Sequence, residues 1–333
     1  MTEFAGTVGM VVVAVLTYRR QRDLEALLPL LVDQVSRACY PSQVLVVDND
    51  PDGQARATVT AVDGPVRYIH EPEPGIAAAR NRALDESRGA RAVVFIDDDE
   101  RPGPDWLDTL VSHWRRSGAT AVVGPVVSSF DMPLPIWVAS GDFFRRRRLP
   151  TGTRVDVAAT NNLLLDLNWV DRQGLRFDVA FGLSGGEDTL FTRQLARLGG
   201  TMEWNDQALV TDVVPVARST RGWVLQRALS SGNTWSRVSL ELAESGGERL
   251  RHRVVLVGRG TLRLVVGTAR AGWGTAVGRM DHQAKGARTV ARGLGLVLGA
   301  CGYVHSEYKR LTPGQRMTCR EFRSSMRPRR YRP

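Results

Sequence analysis

Three stretches of this chain are apolar at every position rather than at every second one: residues 10–16 (MVVVAVL), 44–47 (VLVV) and 92–96 (AVVFI). A strand that is apolar on both faces must be covered on both faces. The usual solution is a mainly parallel sheet with helices on either side. The intervening segments supply the helices. Residues 21–38 place Leu24, Leu27, Leu28, Leu31 and Val35 at helical spacing, and helices are also expected at 76–87 and, after Pro102 and Pro104, at 104–116. Shorter strands fit 65–70 and 120–123. Ligands of such sheets bind beyond the carboxyl ends of the strands. Here those ends read Thr17-Tyr18-Arg19, Asp48-Asn49-Asp50 and Asp97-Asp98-Asp99-Glu100. A polar crevice along that edge follows from topology alone.

Residues 125–160 break the alternation. Pro125, Pro133, Pro135, Trp137 and the arginine run at 145–148 read as a long irregular excursion over the crevice. A strand is expected at 161–165, a helix at 187–198, and short strands at 201–204 and 208–211. From about Trp223 the pattern turns helical. Segments 254–270 and 285–304 carry apolar residues at helical spacing, with arginines on another face. Their many glycines weaken both as isolated helices.

Charge divides the chain in the same place. Residues 1–248 hold 26 Lys+Arg against 32 Asp+Glu, whereas residues 249–333 hold 19 against 3. A mildly acidic body and a strongly basic extension imply different partners. Cys39, Cys301 and Cys319 are too few, and odd in number, for a disulfide framework, which points to a reducing cytoplasm. The apolar run at 10–16 is too short for a secretory leader and follows Glu3 rather than a basic segment. No stretch approaches the roughly 20 apolar residues that span a bilayer.

Two acidic constellations carry chemistry. Asp97 and Asp99 flank Asp98 directly after the buried run AVVFI. Carboxylates there are costly unless hydrated, paired or bound to a cation, and hard oxygen ligands suit Mg²⁺ or Mn²⁺. The competing reading is a solvated acidic turn at a helix N-terminus. Further on, Gly185 and Gly186 precede Glu187 and Asp188 at the start of a helix. A carboxylate held there can act as a general base toward a hydroxyl, or can simply cap the helix.

Taken together and in order, these motifs resemble the inverting glycosyltransferases of family 2. Their Pro-Thr-Tyr-Asn is matched by Leu16-Thr17-Tyr18-Arg19, and their Val-Val-Asp-Asp-Gly-Ser by Val46-Val47-Asp48-Asn49-Asp50-Pro51. Their Gly-x-x-x-Ala-Arg-Asn is complete in residues Gly75 to Asn81. Phe95-Ile96-Asp97-Asp98-Asp99 answers Phe-Leu-Asp-x-Asp, and Gly185-Gly186-Glu187-Asp188 answers Gly-Gly-Glu-Asp. The resemblance covers roughly residues 10–215.

It implies the α/β fold called GT-A, a mixed, mostly parallel sheet with helices on both faces, here followed by a basic helical extension. The implied catalytic domain covers residues 1–220, with a nucleotide-sugar half at about 8–125 and an acceptor half at about 126–220. A helical extension at 221–312 and a basic, disordered tail at 313–333 follow. The resemblance further implies that Thr17, Tyr18, Arg19, Asp48, Asp50, Arg80, Asp97 and Asp98 hold the nucleotide-sugar donor, a UDP-sugar first, with GDP- and dTDP-sugars as alternatives. Asp97 and Asp99 would bind Mg²⁺ or Mn²⁺, Asp188 would deprotonate the acceptor hydroxyl, and Glu187 would orient the acceptor or the base. Many relatives complete the metal shell with a downstream His; here the corresponding stretch offers Asp212. The elements Val214-Pro215 to Arg218 and Ser231-Gly232-Asn233-Thr234-Trp235 resemble succinoglycan-type bacterial enzymes, which implies an acceptor that can be lipid-linked.

Leu16, Arg19 and Asn49-Asp50-Pro51 depart from the pattern at the expected base contacts. The basic helices suit either an anionic membrane surface at the inner face of the membrane or packing on the catalytic domain. A nucleic-acid-binding protein would leave both acidic constellations unexplained, and no such module is recognisable, so no nucleic acid partner is expected. A nucleotidyltransferase acting on sugar phosphates is the alternative enzyme, but the Lys-rich phosphate loop it wants is missing: the first lysine is Lys285. No G-x-G-x-x-G follows the first strand, which disfavours a dinucleotide oxidoreductase.

Overall fold

Alternate residues of the same strands feed two separate cores. In a computed structural model that describes residues 9–305, β1 (Val11–Thr17), β2 (Ser42–Asp48) and β4 (Ala92–Asp97) send Val11, Val13, Val44, Val46, Val94 and Ile96 to one face. Val12, Ala14, Leu45, Val47, Val93 and Phe95 go to the other. The first face is covered by α1 (Gln21–Arg37), the short α2 (Arg56–Thr60) and α4 (Trp106–Ser117). The second is covered by α3 (Ile76–Glu86), α6 (Leu167–Gln173) and α7 (Glu187–Arg197). Each buried Val contributes about 1.5–3 kcal/mol, so uninterrupted apolar strands stabilise both layers at once.

Seven strands form the main sheet in the order β3-β2-β1-β4-β8-β6-β9, where β3 is Val66–His70, β6 is Ala121–Val123, β8 is Asn162–Asp166 and β9 is Met202–Trp204. β1 to β4 are mutually parallel, and β8 runs antiparallel to both of its neighbours. The sheet is therefore mixed, as expected. The excursion at 125–160 is less irregular than its prolines suggest. It contains β7 (Val126–Phe130) and α5 (Ile136–Gly141). β7 joins β10 (Val210–Val214) and β5 (Glu100–Pro102) in a second, three-stranded sheet.

Three long helices complete the described chain: α8 (Arg221–Glu241), α9 (Gly246–Ala276) and α10 (Met280–Ala300). Their glycines, unfavourable for isolated helices, are explained by packing. A Cβ on Gly295 would lie 2.0 Å from the Leu229 carbonyl oxygen, and one on Gly232 would lie 2.2 Å from that of Arg292. Gly260, Gly267 and Gly274 recur every seven residues along α9 and meet α10 backbone in the same way. A seven-residue period keeps one seam facing the partner helix, and only glycine permits this approach. Phe181 and Leu190 pack with Val238 and Leu242, tying α7 to α8. α8 and α10 thus pack on the α/β body, while α9 lies on α10 and its outer side is not covered by any of the described residues. The tail at 313–333, with Cys319, lies outside the described residues. No helix among the described residues is long and apolar enough to cross a membrane.

Candidate active site

The carboxyl ends of β1 and β4 open into one cleft of about 900 Å³, walled opposite by the start of α7 and by α8 and α10. Its acidic pole forms at the end of β4. The chain turns from Asp97 into β5, and the antiparallel β5/β10 pairing sets Asp212 opposite Glu100. Asp97, Asp98, Asp99, Glu100 and Asp212 all line the cleft. Arg20 Nη1 donates to Asp98 Oδ1 at 2.8 Å and to Asp99 Oδ2 at 2.6 Å, and Arg218 Nη1 donates to the same Asp99 oxygen at 3.0 Å. Arg146 pairs with Asp212. Thr17 Oγ1 donates to Asp98 Oδ2 at 2.8 Å, and Asn161 Nδ2 donates to Glu100 Oε1 at 2.6 Å.

Burial lifts four of these carboxyls. It pushes Asp98 up to about 7 against the pull of Arg20, and it raises Glu100 well above the usual carboxylate range with help from the neighbouring charge of Asp97. Asp97 and Asp212 are raised for the same reason, opposed by Arg80 and Arg146 respectively. Only with all five carboxyls ionised would they outnumber Arg20, Arg146 and Arg218 by two charges, and a bound divalent cation is what would favour that ionised state. Oδ1 of Asp212 is buried without a partner. Among the described residues no group of three His, Cys, Asp or Glu side chains is placed to hold a metal ion, and Arg20, Arg146 and Arg218 engage oxygens of Asp99 and Asp212. The carboxylate oxygens of the pole are of the hard type that suits Mg²⁺ or Mn²⁺.

The residues expected to hold the nucleotide divide. Thr17, Tyr18, Arg80, Asp97 and Asp98 line the cleft. Asp48, Asp50 and Arg19 are not among its lining residues. Asp48 is fully buried and works inside its loop: Oδ1 accepts from the Asp50 amide at 3.0 Å, and Oδ2 accepts from the Ala55 amide at 2.8 Å and from Tyr68 Oη at 3.1 Å. Asp50 accepts from Arg19 Nε at 3.1 Å. Arg19 is held at φ 56°, a left-handed position that suits the Asn of the family motif better than an arginine. Asn49 is the residue of this turn that reaches the cleft, and its Oδ1 accepts from the Gly75 amide at 3.1 Å, just ahead of α3.

The second acidic constellation opens α7. Gly186, at φ 97°, lets the chain turn where an added Cβ would lie 2.2 Å from Thr234 Cγ2 of α8. Glu187 is buried and paired with Arg80 of α3, and burial lifts its carboxyl to about 7 against that pairing. Asp188 lies in the first turn, faces the cleft, and accepts from the Thr189 amide at 2.6 Å. The two acids therefore differ in kind. Glu187 and Arg80 fix the helix start, and Asp188 presents its carboxylate to the cleft.

The remaining wall is aromatic and basic. Phe144 stacks on Trp223 with ring centroids 5.9 Å apart, and Arg288 of α10 lies over the Phe143 ring at 5.6 Å. Within the arginine run, Arg146 pairs with Asp212 and Arg148 with Asp206. Asn161 reaches the cleft, whereas Asn162 is buried and receives Trp106 Nε1 at 2.8 Å. His113 is buried and within 3.0 Å of Glu203, a structural placement. Sequence reasoning did not assign site roles to Arg20, Glu100 or Arg218. Arg20 adjoins the polar end of β1 and Glu100 closes the polar run at the end of β4, which is the signal that could have found them.

Comparison with known proteins bears on the family and the fold. A model of the family described as glycosyl transferase family 2 matches residues 12–167. The succinoglycan biosynthesis protein ExoM of Rhizobium meliloti (strain 1021) is 35% identical over 250 residues, covering 74% of this chain and 80% of that protein. The galactofuranosyltransferase GlfT1 of Mycolicibacterium smegmatis is 29% identical over 161 residues, covering 47% of this chain and 52% of that protein. In fold, the chain resembles the crystal structure of GalNAc-T7 with UDP, GalNAc and Mn²⁺, with a TM-score of 0.50 and 11% identity over 74% of this chain and 55% of that one.

Proposed function

The chain belongs to glycosyl transferase family 2, and from that premise we propose that its cleft moves a hexose from a nucleotide-diphosphate sugar to an acceptor hydroxyl with inversion. The observation that carries this reading is one cleft with two separate acidic groups, the pole at the end of β4 and Asp188 at the start of α7. The donor lies between β1, Asn49 and the pole, with Thr17 and Tyr18 beside its nucleotide. A divalent cation held by Asp97, Asp99 and Asp212 would supply positive charge to the leaving diphosphate. Asp188 takes the proton of the acceptor hydroxyl as it attacks the anomeric carbon from the opposite side. Arg80 holds Glu187 so that the start of α7 does not shift. A part in polysaccharide assembly rests on the likeness to a protein named for succinoglycan biosynthesis.

A screen of UDP-, GDP- and dTDP-sugars tests the donor. At least one, a UDP-sugar first, is expected to bind and be slowly hydrolysed only with Mg²⁺ or Mn²⁺ present. Binding of none would remove the reading.

The outer side of α9 supports a second proposal, that the enzyme docks on the inner face of an anionic membrane. Leu250, Val254, Leu262, Val265, Val266 and Trp273 are each more than half exposed, and Arg251, Arg253, Arg259 and Arg270 are exposed on the same helix. Apolar side chains flanked by arginines are the interfacial pattern, and each basic residue near anionic lipid adds about 1 kcal/mol. L262D/V266D protein should lose binding to vesicles containing phosphatidylglycerol, and high salt should weaken the wild type. Equal binding by both proteins would refute the docking face.

A further inference from the structure

The arginines that line the cleft include two sets that differ in kind. Arg20, Arg80, Arg146 and Arg218 are each paired with a carboxylate of the site. Arg288 and Arg292, one turn apart on α10, line the same cleft and form no ion pair among the described residues. No acidic residue of α10 pairs with them. Among the described residues beyond position 249 the single acidic residue is Asp281, which pairs with Arg279 at 3.0 Å. Burial, together with the neighbouring positive charges of Arg263 and Arg288, pulls Arg292 below the usual guanidinium range. Three cations held together by the α9–α10 packing, two of them facing a cavity, repel one another until an anion joins them.

The backbone makes this arrangement obligatory. The Gly232 contact brings α8 against the carbonyl of Arg292, and a Cβ on Gly293 would lie 2.8 Å from Cβ of Arg263. The glycine seam therefore sets the height of both arginines on the wall. Phe143 under Arg288, with Phe144 and Trp223 beside it, gives the same wall flat apolar faces of the kind that take the C–H face of a sugar ring.

We propose that Arg288 and Arg292 form an anion subsite for a phosphate or diphosphate group carried by the acceptor. Its sugar rests on the adjoining aromatic wall and directs a hydroxyl toward Asp188. This assignment rests on the donor reading above, because the donor's own diphosphate is placed at the β4 pole. The shared chemistry is a phosphate ester, whether the acceptor is a soluble sugar phosphate or is anchored in lipid.

The test is calorimetric titration of the full-length protein, with UDP and excess Mg²⁺ present, using inorganic phosphate and, separately, farnesyl phosphate. Both are expected to bind alongside UDP. R288A/R292A is expected to weaken both by roughly tenfold or more, since each guanidinium gives charge-assisted hydrogen bonds to phosphate. R288K/R292K should recover part of the loss, and circular dichroism should be unchanged in both variants. Tighter binding of farnesyl phosphate supports a lipid-borne acceptor, and equal binding supports the phosphate chemistry alone; both keep the subsite. It is overturned if phosphate fails to bind, if R288A/R292A binds phosphate like the wild type, or if UDP displaces phosphate from a single shared site. UDP titrated alone separates the two readings: a wild-type protein that ignores UDP loses the donor assignment, whatever phosphate does.

Discussion

Asp188→Asn protein is expected to bind the nucleotide sugar almost as the wild type does and to turn it over about 10²–10⁴ times more slowly. The substitution is nearly isosteric. Asn can still accept from the Thr189 amide, the bond that Asp188 Oδ1 makes at 2.6 Å, so the first turn of α7 is retained. What it cannot do is take a proton at neutral pH. A group that acts only as the reaction proceeds lowers turnover without changing donor affinity, which separates this role from binding. Glu187→Gln should behave differently, because Glu187 is buried against Arg80. Removing one charge of a buried pair typically costs about 3–5 kcal/mol, so that variant should lose melting temperature before it loses chemistry. Turnover by release of nucleoside diphosphate, donor affinity by calorimetry and thermal unfolding distinguish the two. Near-wild-type turnover in folded Asp188→Asn protein would show that another group is the base.

Asp99→Ala should erase the difference between donor binding with and without Mn²⁺ or Mg²⁺. Affinity in the presence of metal should fall by at least the roughly 10–100-fold that loss of even a supporting group costs a metal site. The structure adds a second expectation. Arg20 and Arg218 both donate to Asp99 Oδ2, at 2.6 and 3.0 Å. Without that oxygen the two guanidinium groups face the diphosphate position with less to neutralise them, so residual metal-independent binding should persist. Calorimetry with and without metal reads both effects. A folded variant with unchanged metal dependence would remove Asp99 from the cation site.

The contrast between Asp48 and Asp99 shows how far local sequence reaches. Asp48 ends β2 and Asp99 lies two residues past the end of β4, and both match an acidic motif. Asp99 faces the cleft, whereas Asp48 is consumed by the Asp50 and Ala55 amides and by Tyr68 Oη. Nothing in the residues around Asp48 announces this, because Tyr68 arrives from the neighbouring strand. The glycines of α9 and α10 make the same point. Read along the chain they weaken helices, and in three dimensions they are what lets the helices touch.

The sequence by itself determined the sheet, its coverage on both faces and the edge on which the cleft opens. Those follow from the period of apolar residues, which records how each strand and helix is buried, and from polar residues adjacent to the strands that carry them. It also determined the acidic run at the end of β4 and the acids that open α7, since each lies within a few consecutive residues. Tertiary structure alone decided which distant groups meet there. Arg80 reaches Glu187 across 107 residues and Arg218 reaches Asp99 across 119, while Asp212 enters the pole through the pairing of β10 with β5. Arg288 and Arg292 become a cleft wall because α10 docks against α8 at glycine-to-carbonyl distance. Such meetings depend on the fit of whole surfaces, and a fit between surfaces leaves no period in the chain for a reader to find.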